Sequence, residues 1–91
     1  MYNVQFTRQA MKDGENVKNA GLKSKADEII RVIQNNPYEE SQGFEFLKYE
    51  LAGCYSRKID DKNRIVYTIN YLENKVVIHF KKNLFLPPLS S

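Results

Sequence analysis

Apolar and polar residues alternate from Tyr2 to Phe6, with Tyr2, Val4 and Phe6 on one side, and this predicts a short strand. Thr7 then stands where a helix N-cap belongs. Ala10, Met11 and Val17 are the sparse apolar positions of a polar helix running toward Ala20, in which Gly14 costs about 1 kcal/mol relative to alanine. Asn19-Ala20-Gly21 predicts a turn. Beyond it, Ala26, Ile29, Ile30 and Ile33 fall at i, i+3, i+4 and i+7, one stripe on a second helix for which Ser24 is the expected cap. Asn35-Asn36-Pro37 ends that helix, because a proline disfavours the helical region for the residue before it.

After Pro37 the period changes from 3.6 to 2. Tyr55–Ile59 and Arg64–Ile69 read as strands, joined by the polar hairpin turn Asp60-Asp61-Lys62-Asn63. A third strand, Val76–Phe80, puts Val76, Ile78 and Phe80 on one side and Val77, His79 and Lys81 on the other. It ends before Pro87-Pro88, which cannot extend a ladder. The order β-α-α-β-β-β predicts an α+β domain, two helices packed on one face of an antiparallel sheet.

Composition narrows the function. Ninety-one residues suit one domain with a thin core, one that buries about 60–65% of the unfolded chain's surface. Cys54 is the single cysteine and cannot form an internal disulfide, and no Cys/His group has zinc-ligand spacing. No run approaches the roughly 18 apolar residues of a membrane span, and Met1 to Gln5 lack a signal-peptide pattern, so a reducing cytoplasm is the expected compartment. The net charge of +3 is unevenly placed. Residues 1–42 balance six bases against six acids, while residues 43–91 carry eight bases and five acids, so a polyanion is expected to dock on the second half.

The candidates for chemistry are few. Gly14, Gly21, Gly43 and Gly53 are scattered and make no phosphate loop, and the sequence places no third group to complete a catalytic set with His79 and Cys54. Glu45, between Phe44 and Phe46, is either an exposed strand-edge carboxylate or a partly desolvated general base. Arg57, Lys58 and Arg64 lie on paired strands across one hairpin, either as an ordinary solvated face or as a phosphate clamp.

Four segments decide which reading to carry forward. Asn36-Pro37-Tyr38 leads to Phe44-Glu45-Phe46-Leu47-Lys48; Leu51-Ala52-Gly53-Cys54-Tyr55-Ser56-Arg57-Lys58-Ile59 follows, then Asn63-Arg64-Ile65-Val66-Tyr67. This series resembles the Txe/YoeB family of the RelE superfamily, toxins of type II toxin–antitoxin pairs, over essentially residues 2–80. The resemblance implies a RelE-like microbial RNase fold with a curved antiparallel sheet over residues 1–83, followed by an atypical uncharged tail at 84–91. It also implies a ribosome-dependent mRNA endonuclease that needs no metal or other cofactor. In that chemistry the substrate's 2′-hydroxyl attacks the adjacent phosphate and the 5′-oxygen leaves. By the resemblance Glu45 is the base, and Arg64 stabilises the transition state together with Lys58, which stands where the family has arginine. Asn63 stands where the family usually has histidine. Lys48, Arg57, Lys81 and Lys82 are the further bases expected to meet RNA.

The tail departs from the pattern. Family members close with a His-Tyr pair, the histidine serving as general acid, whereas Leu84 and Phe85 hold those positions here. The remaining imidazole, His79, stands about 17 Å back along an extended strand as a substitute acid. Two functions follow from the resemblance: a nuclease impaired by loss of its acid, or an inactive homologue that binds antitoxin and RNA or the ribosome. The implied partners are a YefM-like antitoxin, mRNA in the ribosomal A site and a second copy of the chain, with no membrane.

Overall fold

The computed structural model describes residues 1–82, without the side chains of Glu50, Phe80, Lys81 and Lys82. In chain order the elements are β1 (Asn3–Phe6), α1 (Arg8–Asn19), α2 (Lys23–Asn35), β2 (Glu45–Phe46), a 3-10 turn (Tyr49–Leu51), β3 (Tyr55–Lys58), β4 (Asn63–Asn70) and β5 (Lys75–Lys82). The strands form one sheet in the order β1-β5-β4-β3-β2. The two helices cover one face, giving the expected α+β layering.

Helix α1 starts as its sequence predicts, with the Thr7 hydroxyl accepting from the Ala10 amide at 3.0 Å. Helix α2 does not start at Ser24. Leu22 occupies the N-cap position without a side-chain bond, and its carbonyl accepts the first helical bond from Ala26. Leu22 packs against the core and Gly21 takes the left-handed φ of +77° that the reversal before it requires, so burial and turn geometry outweigh the cap preference. The predicted stripe is used: Ala26, Ile29 and Ile33 are buried, with Ile30 half-buried beside them. They meet Ala10 and Val17 from α1 and Ile65, Tyr67, Val76 and Ile78 from the sheet.

Two features of the sheet differ from the expectation. Strand β1 runs parallel to β5, with Val4 opposite Val76 and Phe6 opposite Ile78, whereas the other three pairings are antiparallel. A parallel neighbour needs a long crossover, and the helices and the β2–β4 meander supply it. Periodicity reports which way a side chain faces and is silent on strand direction. Strand β2 has only two residues, both exposed, too few to show alternation. It pairs with β3 through Glu45–Ser56 and Phe46–Tyr55.

Candidate active site

Strand register assembles the site. Glu45 lies opposite Ser56, Ser56 opposite Val66 and Val66 opposite His79, one row across four strands. Two residues along, Lys58 lies opposite Arg64 and Arg64 opposite Lys81. Successive strand residues alternate between faces, so both rows share the face turned away from the helices. Residues in the other phase, among them Ile65, Tyr67 and Ile78, belong to the core.

Within these rows the side chains of Glu45 and Arg64 meet. Arg64 Nη1 is 3.3 Å from Glu45 Oε1 and donates a 2.9 Å hydrogen bond to Ser56 Oγ. Ser56 is fully buried, so its hydroxyl is a fixed anchor for the guanidinium. The Arg64 side chain is 23% exposed and that of Glu45 49%, which leaves the pair open to solvent and to a ligand. Lys58, directly opposite Arg64, turns its Nζ to Asp61 Oδ1 at 3.1 Å, an i,i+3 contact whose acid is almost wholly exposed. Lys58 also flanks a groove of about 480 Å³ between the hairpin, the Gln42-Gly43 turn and Lys25.

The remaining expected residues fall in different places. Lys48 is exposed just before the 3-10 turn. His79 stands half-buried in the Glu45 row, on β5. The backbones of Lys81 and Lys82 belong to β5, while their side chains and residues 84–91 lie outside the described residues.

Arg57 corrects the sequence reading. It was expected among the RNA-facing bases, yet it is fully buried on the helix-facing side. Its Nε donates to the Tyr67 hydroxyl at 2.9 Å. Nη1 donates to the Ser41 carbonyl at 2.8 Å, and Nη2 to those of Glu39 at 2.6 Å and Pro37 at 3.3 Å. The Phe44 ring lies 4.8 Å from its guanidinium carbon. Tyr67 is fully buried and its phenol is pushed up to about 12, mainly by burial, so it stays protonated and donates to the Pro37 carbonyl at 2.8 Å. The physical reason for the correction is the period of two. Arg57 and Lys58 are adjacent on a strand and must point to opposite faces. The same alternation puts Ser56 on the Lys58 side, a signal the sequence reading did not use.

Among the described residues, no group of three His, Cys, Asp or Glu side chains is placed to hold a metal, and no helix is long and apolar enough to cross a membrane. Residues 6–83 match the family model described as the YoeB-like toxin of bacterial type II toxin–antitoxin systems. The chain belongs to this family. Its fold agrees with solved YoeB structures. A YoeB–YefM toxin–antitoxin complex from Staphylococcus aureus matches at 30% identity and a TM-score of 0.75, over 93% of this chain and 99% of that one. A YoeB dimer from the same organism matches at 30% identity and a TM-score of 0.77, over 92% and 98%. A YoeB/ParE toxin from Agrobacterium tumefaciens shares the fold at 23% identity and a TM-score of 0.78, over 88% and 96%. No curated protein sequence matches significantly. As a YoeB-like chain it is the toxin half of a type II toxin–antitoxin pair, and its family match stops at residue 83.

Proposed function

We propose that this YoeB-like toxin is a ribosome-dependent mRNA endonuclease in which Glu45 is the general base and Arg64, with Lys58, holds the scissile phosphate. The observation that carries the reading is the Glu45–Arg64 contact at 3.3 Å on the sheet face that also bears Lys58. Arginine suits the role because its planar fork matches phosphate oxygens and stays charged. A partly exposed ion pair is worth about 0–1 kcal/mol, so an incoming phosphate displaces Glu45 from Arg64 at little cost. The freed carboxylate then takes the 2′-hydroxyl proton. The 2′-oxygen bonds to phosphorus, a 2′,3′-cyclic phosphate forms, and the 5′-oxygen leaves with a proton from an acid. Cations at Arg64 and Lys58 stabilise the extra negative charge of the phosphorane.

The acid is the weak member of this set. Leu84 and Phe85 supply no proton, and an exposed lysine with a pKa of about 10.4 is a poor acid near neutrality. His79 stands in the Glu45 row but three strands away, roughly 14 Å at ordinary strand spacing. Cleavage is therefore expected to be slow. The toxin's partner on this reading is a YefM-like antitoxin, in keeping with the YoeB–YefM pairing of its Staphylococcus aureus relative. Self-association has a parallel in the YoeB dimer, and the exposed rings of Tyr38, Phe46 and Tyr49 provide apolar surface for either contact.

The deciding experiment is cleavage of mRNA on programmed ribosomes by the purified chain and by Glu45→Gln. The substitution keeps shape and removes the base, so the rate is expected to fall by about 10²–10⁴-fold. An unchanged rate removes Glu45 from the mechanism. A wild-type chain that binds ribosomes and leaves the mRNA whole makes it a binding module.

A further inference from the structure

Glu45 sits on a strand of two residues, and a pairing that short does not hold itself in place. The chain leading into it, residues 37–44, is irregular. Gln42 and Gly43 both adopt left-handed backbone, with φ of 55° and 69°. Gly43 approaches β3 so closely that a Cβ there would lie 2.9 Å from Lys58 Cβ. Besides backbone bonds such as that from the Lys58 amide to the Gln42 carbonyl at 2.9 Å, the Arg57 side chain holds this segment. Its guanidinium satisfies the carbonyls of Pro37, Glu39 and Ser41, and its carbon lies against the ring of Phe44, the residue immediately before Glu45. Tyr67 closes the arrangement by accepting from Arg57 and donating to Pro37. A buried arginine is costly unless its donors are satisfied, and this one reaches three backbone carbonyls and one phenol oxygen.

We infer that Arg57 is a positioning residue: from the core side of the sheet it moulds the 37–44 segment and so fixes where Glu45 stands on the opposite face. The catalytic part of this inference rests on the proposed role of Glu45. Arg57 and Glu45 are on opposite faces, and the link between them is the covalent step from Phe44 to Glu45. Lysine in place of Arg57 keeps the charge but reaches fewer carbonyls and loses the planar contact with Phe44.

The test combines hydrogen exchange on the free toxin with cleavage kinetics on programmed ribosomes, for wild type, Arg57→Lys and the milder Tyr67→Phe. Arg57→Lys is expected to speed exchange of amides 38–47 by about tenfold or more and to leave the central amides of β4 and β5 within about twofold. It is expected to lower kcat about tenfold or more, with KM for ribosomes within about threefold. Tyr67→Phe, which removes one acceptor and one donor, is expected to fall between wild type and Arg57→Lys in both measurements. Exchange that rises equally throughout the sheet, or stays unchanged in residues 38–47, overturns the inference. So does a loss carried wholly by KM, or an unchanged kcat where Glu45→Gln abolishes cleavage. If Glu45→Gln cleaves like wild type, the proposed role of Glu45 fails separately and the catalytic half of the inference falls with it. The exchange data then decide whether Arg57 organises the segment.

Discussion

Arg64 takes its orientation from Ser56, a serine with no apparent chemical task. Its buried hydroxyl accepts from the same Nη1 that faces Glu45. A hydrogen bond from a charged donor is worth about 1.5–3 kcal/mol, and the partial exposure of Arg64 reduces that figure. In Ser56→Ala, of the two partners seen among the described residues, the guanidinium keeps the half-exposed Glu45. We expect about a tenfold lower single-turnover cleavage rate, roughly 1.4 kcal/mol of transition-state stabilisation, with ribosome affinity nearly unchanged. Rapid-quench cleavage beside a binding measurement checks this. Equal losses in rate and affinity would make Ser56 a determinant of RNA binding instead.

At the scale of elements, the β3–β4 hairpin was legible because its alternation is clean and its turn is polar. Asp60 explains why that turn is tight: its Oδ1 accepts from the backbone amides of Lys62 and Asn63 and from Asn63 Nδ2, at 2.9, 2.7 and 3.0 Å. The Lys62 amide, then the Asn63 side chain, hold the Asp60 carboxyl below its ordinary 3.8. A carboxyl lowered in the folded state contributes stability that is present above its unfolded value and lost as pH falls through the folded one. The melting temperature should thus drop on acidification below about pH 4 more steeply for wild type than for Asp60→Asn, which retains an acceptor without a charge. Thermal melts of both proteins from neutral to acid pH measure the difference. The other elements show where sequence patterns stop. Strand β2 is too short to alternate, and the parallel β1–β5 pairing depends on a crossover that no local window contains. Arg57 was misplaced for a different reason, since a charged residue beside another base reads as surface until the period of two is applied to the pair.

For the molecule as a whole, two bases of the charge-rich second half share one sheet face. Lys58 and Arg64 stand opposite each other on neighbouring strands, a like-charge pairing that costs stability unless something anionic meets it. Asp61 meets Lys58 and Glu45 meets Arg64, and on the proposed function an RNA phosphate would compete with both acids. The resemblance places the proton donor of the proposed chemistry at positions held here by Leu84 and Phe85. Restoring it with Leu84→His and Phe85→Tyr tests that placement directly. General acid catalysis contributes typically 10²–10⁴-fold, so the double variant should cleave faster than the parent by at least about 10²-fold. The gain should disappear when Glu45→Gln is added, because an acid without its base completes only half of the proton transfer. Side-by-side primer extension on ribosome-bound mRNA and growth arrest on expression provide the readout. A double variant no faster than an active parent would mean that the parent already has an acid, and His79→Gln then tests the remaining imidazole.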